Sequence, residues 1–162
     1  MAVVMPQGVL FRGNEEGRIR EKLVKSDLVE AIVTLGDKLF YGTGLSPCFM
    51  ILRRLKPAPH SARVLMIDGT KILTAKRAQN ILSPEDVDRL YELYCKYEDI
   101  EDFSKVVTMD DIATKGYDLS PNKYVNYHKE EIRPYAEVLA EFKAAYEEVL
   151  KREAEFEKLI NA

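Results

Sequence analysis

The sequence predicts an α/β fold: a mixed sheet of about four strands, then a helical region, then a long C-terminal helix. Three observations carry this expectation. Short apolar runs bounded by proline and glycine recur through residues 1–80; a capped helical texture begins after Asn80; and apolar side chains recur at steps of three and four from Ile132 to Ile160. The corresponding divisions are 1–80 (sheet), 81–128 (helical and irregular extension) and 129–162 (amphipathic helix).

Ala2-Val3-Val4-Met5-Pro6 is continuously apolar and is stopped by Pro6 and Gly8, the pattern of a strand buried on both faces. Residues 18–24 set Ile19 and Leu23 at helical spacing, with Asn14 as the expected cap and Glu15 and Glu16 near the positive helix end. VEAIVTL, residues 29–35, reads as a second buried strand and completes a βαβ unit with parallel strands. The loop GDKLFYGTG, residues 36–44, has two readings: Leu39 and Phe40 tuck into the core, or the aromatics meet a ligand at a strand end. Residues 47–52 and 63–68 are the third and fourth strands, and their short separation suggests a hairpin.

Ser83-Pro84-Glu85-Asp86 starts a helix with a capping serine, a first-turn proline and adjacent acids. Thr108-Met109-Asp110-Asp111 starts another, ended by Gly116. In the tail, Ile132, Tyr135, Leu139, Phe142, Tyr146, Val149, Glu153, Phe156 and Ile160 form a seam that is apolar at eight of nine positions. A helix of ~30 residues spans about 45 Å, and Pro134 fits only its first turn. It is either a coiled-coil docking arm, which would also draw two copies into a homodimer, or a helix packed on its own domain.

The net charge of −3 conceals a split: residues 1–80 carry 13 Lys/Arg against 7 Asp/Glu, and residues 81–128 carry 5 against 11. Two differently solvated surfaces account for this, as does an anionic partner on the N-terminal part. Cys48, Cys95, His60 and His128 show no CxxC or HxxxH spacing, which argues against a disulfide framework or a metal centre. No run approaches the ~18 apolar residues of a membrane span, and no charged-then-apolar leader opens the chain; a cytoplasmic protein with no membrane partner is expected. Neither GxxxxGK[ST] nor GxGxxG occurs, and nothing in the sequence sets a nucleophile beside either histidine. No catalytic, cofactor-binding or metal-ligating residue is assigned on these grounds.

Several stretches taken together resemble the modification (M) subunit of type I restriction-modification systems, an N6-adenine DNA methyltransferase. They are VVMPQGVLFR at 3–12, IREKLV at 19–24, LFYGTG at 39–44, VLMID at 64–68 and YDLSPNKYV at 117–125. The match runs over most of residues 2–128 and covers only the C-terminal part of that family; the tail is similar to its C-terminal helices, which pack against the specificity subunit. The resemblance implies the C-terminal half of a Rossmann-like, S-adenosylmethionine-dependent sheet. In the full-length family the methyl donor sits on a glycine-rich loop and an Asn-Pro-Pro-aromatic loop holds the target amine. This sequence contains no Asn-Pro-Pro and no matching glycine loop.

The expectation is therefore a piece of a DNA adenine methyltransferase subunit that binds no cofactor and is inactive alone. Its partners would be the remaining M-subunit portion, the specificity subunit and, in the assembled complex, DNA. The alternative is a non-catalytic interaction module that docks a specificity-type subunit or DNA. In amino-methyltransferases of this fold the loop resembling residues 39–44 lies near the pocket that receives the flipped base, so Phe40 and Tyr41 are the expected base contacts, with core packing as the alternative for Phe40. Lys38, Arg53 and Arg54 are the candidate phosphate contacts, with solvated surface cations as the alternative.

Overall fold

The computed structural model describes residues 1–77, 79–128 and 134–160. Met1–His128 form one compact unit and Lys129–Ala162 a second. The first holds a five-stranded mixed sheet: β1 (Ala2–Pro6), β2 (Val29–Leu35), β3 (Pro47–Leu52), β4 (Arg63–Gly69) and β5 (Ser104–Thr108), in the order β1-β3-β2-β4-β5. Among the described residues three α-helices accompany it, α1 (Asn14–Lys25), α2 (Pro84–Lys96) and α3 (Met109–Thr114), with three short 3-10 turns.

β3 runs antiparallel to both β1 and β2, while β2 and β4 are parallel and β5 is antiparallel to β4. β1, β2 and β4 therefore point the same way, and their carboxyl ends share one edge of the sheet. The β1–α1–β2 crossover leaves room for β3 between its two strands. The expected hairpin between the third and fourth strands is not formed, because β2 lies between them. The count of about four strands is also corrected. SKVVT at 104–108 pairs with β4, so the segment read as helical and irregular supplies a strand as well as helices.

β2 is buried at every residue. A register shift after Val29 places that residue with Ile32, and from Ala31 onward the strand's even and odd side chains feed two cores on opposite faces of the sheet. Ile32 joins Met50, Val64, Met66, Ile112 and Leu119 on one face; Ala31, Val33 and Leu35 join Leu65, Ile67 and Leu93 of α2 on the other. Arg20 of α1 is buried and donates to the carbonyls of Val9 (2.8 Å) and Tyr117 (3.1 Å), tying three segments together beneath the first core. The cap of α1 is Gly13, with Asn14 already inside the helix at φ 55°, so the asparagine does not cap as expected. Ser83 with Asp86 and Thr108 with Asp111 form reciprocal capping boxes at the starts of α2 and α3.

β1 is an edge strand, not one buried on both faces: Ala2, Val4 and Pro6 are exposed and only Val3 and Met5 are half-buried. Met1 and Leu52 exchange both backbone bonds at 2.8 Å, and Gln7 N–H donates to Ser46 O at 3.1 Å. By antiparallel alternation the odd residues face β3, and Ala2, Val4 and Pro6 turn their backbone groups outward. No described strand pairs with that outer edge. Proline has no N–H to leave unpaired there, which is why it is tolerated at an edge.

The second unit contains α4 (Tyr135–Ile160), a helix of 26 residues. Pro134 precedes it, its carbonyl accepting from the N–H groups of Glu137 and Val138. Tyr135, Phe142, Tyr146, Val149 and Phe156 are exposed, and Leu139 is half-buried. Ile132 and the side chain of Ile160 lie outside the described residues. No helix of the described residues is long and apolar enough to cross a membrane.

Candidate nucleic-acid interface

Binding sites in open α/β sheets gather outside the carboxyl ends of parallel strands. Here that edge carries the segments after β1, β2 and β4. After β2, Gly36 is buried against the segment that follows β4: an added Cβ would stand 2.2 Å from Leu73 Cδ2 and 2.9 Å from Thr70 O. Only glycine allows that approach. Lys38 then takes φ 53° and Gly42 φ 73°, so the chain turns sharply on both sides of the two aromatics.

The loop is held by the return limb of the β4 segment. Thr74 and Ile81 bond to each other through their backbones at 2.9 and 3.1 Å, closing a small loop between them. On its return, Asn80 N–H donates to Lys38 O (3.0 Å), Asn80 Nδ2 to Asp37 O (3.1 Å) and Gln79 Nε2 to Leu39 O (2.9 Å). Three consecutive carbonyls are thus fixed immediately before Phe40. Gln7 closes the other side, its Nε2 donating to Leu35 O at 3.0 Å.

Leu39 packs on the second core, while Phe40 is 50% and Tyr41 92% exposed. Leu39 tucks into the core as expected, whereas Phe40, expected there beside it on the same reading, stands out with Tyr41 instead. Phe40 borders an apolar cleft of about 220 Å³ with Val4, Pro6, Leu45 and Pro47. It also borders a cleft of about 380 Å³ with Lys38, Tyr41, Thr43 and Gln79. Exposed rings beside clefts of this size can receive a planar ligand. Lys38 stands beside them. Arg53 and Arg54 do not: they follow β3 at the far end of the sheet, about 20 Å away along a six-residue strand.

A third cleft, of about 420 Å³, opens at the same sheet edge and includes Gln7, Thr34, Asp68, Asp118 and Lys123. Its carboxylates are already engaged. Asp68 accepts from Thr34 Oγ1 (3.4 Å), Thr70 N–H (3.0 Å), Thr70 Oγ1 (2.6 Å) and the Tyr127 hydroxyl. Asp118 accepts from Ser120 N–H (2.9 Å) and pairs with Lys123. Burial alone would raise the Asp118 pKa, but the bonds from Lys123 and Ser120 outweigh it and hold the carboxyl below its usual range. The Cys48 thiol, buried in the first core, is pushed up to about 11 by desolvation and cannot serve as a nucleophile. Among the described residues no three His, Cys, Asp or Glu side chains stand together as metal ligands.

Gln79 and Asn80 are absent from the sequence-derived site. Their only advance signal is position: two amide side chains soon after a strand, next to a basic pair.

Antiparallel strands thus flank the parallel pair on both sides, and exposed aromatics stand on a clamped loop at the carboxyl edge of the sheet. Residues 1–132 match the N-6 DNA Methylase family model, and the chain belongs to that family. Within it, the similarity is to type I restriction enzyme methylase subunits. The MjaVII subunit of Methanocaldococcus jannaschii is 36% identical over 128 residues, 77% of this chain and 22% of the relative. The MjaIX subunit of the same organism is 36% identical over 167 residues, 98% of this chain and 30% of the relative. The crystal structure of a type I methyltransferase subunit from Streptococcus thermophilus superposes with a TM-score of 0.72 at 30% identity, covering 78% of this chain and 26% of that one. The chain thus spans less than a third of the length of these relatives.

Proposed function

We propose that this chain is one part of an adenine-N6 DNA methylation centre of the type I kind, supplying the platform for the target base while other parts supply donor and amine recognition. The observation that carries the reading is the pair Phe40 and Tyr41, exposed at the carboxyl edge on a loop whose preceding carbonyls are fixed by Gln79 and Asn80. A base taken out of the stack needs such a surface, and Lys38 adds a cation for the flanking phosphate.

S-adenosylmethionine is the cofactor the family implies, and the residues present do not fit it. A ribose diol is held by a strand-end carboxylate with free acceptor positions, yet Asp68, the acid at the end of β4, already accepts four hydrogen bonds. After β1, the space a side chain would fill at Gly8 holds the Arg12 guanidinium, 2.7 Å away, in place of a donor's carboxylate or phosphate-like group. The sequence has no Asn-Pro-Pro to accept from an adenine amine. In this reading the remaining M-subunit portion pairs with the free edge of β1 and brings both.

The test is transfer of tritiated methyl from labelled S-adenosylmethionine to DNA. The 162-residue chain alone transfers none, and mixing with a segment that carries the glycine loop and Asn-Pro-Pro-aromatic restores transfer; incorporation by the chain alone refutes the proposal. A second reading, that the chain also docks a specificity-type subunit, rests on the exposed apolar side chains of α4. Capture of that subunit that survives deletion of residues 129–162 removes it.

A further inference from the structure

We propose that Lys76 and Arg77, with Lys38 and Lys71, form a DNA-backbone contact surface flanking the aromatic platform. The proposal builds on the reading of Phe40 and Tyr41 as that platform. It begins from how the cations of residues 1–128 are used. Eight lysines and arginines are paired with carboxylates. Arg20 and Lys115 donate to carbonyls, and Arg89 lies over Phe103. Of those left without such a side-chain contact, four stand at one place: Lys38, Lys71, Lys76 and Arg77, all exposed.

Residues 70–81 read TKILTAKRAQNI, three cations and no acid. The Thr74–Ile81 backbone pair puts Lys76 and Arg77 in the turn of a short loop, and its return limb is the Gln79–Asn80 clamp on residues 37–39. Arg77 is two residues from Gln79, so its Cα lies within about 8 Å of a residue bonded to the aromatic loop. Cations spent on internal pairs stabilise the fold; Lys76 and Arg77 are left unpaired on a loop with no acid of its own, whose ends bond Asp86 and Asp37, beside exposed rings, and are positioned for a polyanion whose bases stack. A nucleic-acid strand has both features, with phosphates for the lysines and arginine and a base for the rings. The DNA of the methylase family is the occupant this chemistry selects.

The experiment uses the complete 162-residue chain and a fluorescein-labelled duplex, with binding followed by anisotropy between about 50 and 200 mM salt. Each phosphate contact contributes about 0.9 to the slope of log K against log salt, so Lys76→Ala/Arg77→Ala lowers the slope by about 2. The charge-matched double variant Lys22→Ala/Arg63→Ala, which removes unpaired cations elsewhere, leaves the slope at the unmodified value. Equal losses in the two double variants, an unchanged slope in the first, or no binding by the unmodified chain at about 50 mM salt each overturn the proposal. The base platform is read separately with 2-aminopurine at the target position, which brightens when unstacked. Phe40→Ala/Tyr41→Ala abolishes the brightening and keeps the salt slope. A slope change without any brightening in the unmodified chain retains the backbone contact and discards the platform.

Discussion

The imidazole of His60 lies flat against the Tyr97 ring, with 3.5 Å between centroids and 5° between planes. The stack holds His60 Nδ1 2.8 Å from Glu30 Oε1, with Arg53 Nη1 3.5 Å from the same oxygen. Glu30 is 1% exposed, and its Oε2 has no hydrogen-bond partner. Burial, then the nearby charges of Glu30 and Asp27, push the Tyr97 hydroxyl well above its ordinary pKa. This cluster occupies the end of the sheet opposite the aromatic loop, and its work is stability.

Glu30→Ala is expected to cost about 3 kcal/mol, because it leaves a cavity and strips His60 and Arg53 of their shared partner. Glu30→Met fills the same volume without a buried charge, and both former partners can reach water; it is expected to stay within about 1 kcal/mol of the unmodified chain. Denaturant midpoints at constant slope measure the difference. Equal losses for the two substitutions would show that the charge itself is needed.

Asp118 sets an acid-side dependence. Its folded pKa is depressed, so its contribution is present in full above the unfolded value of about 3.9 and is lost as pH falls through the folded one. Asp118→Asn is expected to lower stability near neutrality by about 1–3 kcal/mol. It also flattens the decline below about pH 4. Urea melts from neutral to acidic pH check both, and an undiminished acid slope in the variant contradicts the assignment.

Gly36→Ala forces a methyl group against Leu73 and the Thr70 carbonyl, and a loss of about 1–3 kcal/mol is expected. Leu73→Ala removes one of the two clashes. The double variant should recover part of the loss in a mutant cycle, which additive behaviour would exclude.

The exposed apolar side chains of α4 are expected to associate. Light scattering after size exclusion at tens of micromolar should give a mass above the 18.6 kDa of one chain. Phe142→Glu/Val149→Glu should return it to that mass. A monomer before substitution rules out self-association through this helix.

Elements specified by local chemistry were legible in the sequence. The capping boxes at Ser83 and Thr108 need only four residues each, and VEAIVTL is apolar enough to announce a central strand. Edge and partner assignments were not. An apolar pentapeptide reads alike in the middle of a sheet and at its rim, and only the pairing of β1 with β3 distinguishes them. β5 escaped because SKVVT is short, carries a lysine, and sits in an acidic stretch; what makes it a strand is β4, some 40 residues earlier. The aromatic loop was visible as a motif, but its clamp was not, since Gln79 and Asn80 act through hydrogen bonds that have no periodicity. Arg53 and Arg54 were grouped with Lys38 by residue type, and the direction of β3 separates them.

The rim of β1 also bears on how this polypeptide behaves while it is being made. Ala2 and Val4 offer the outward amide hydrogens, and Pro6 caps the row. A newly synthesised copy thus presents a short adhesive strip that can recruit a neighbour but cannot template a long fibril. Pro6, with no amide hydrogen to offer, shortens that strip further.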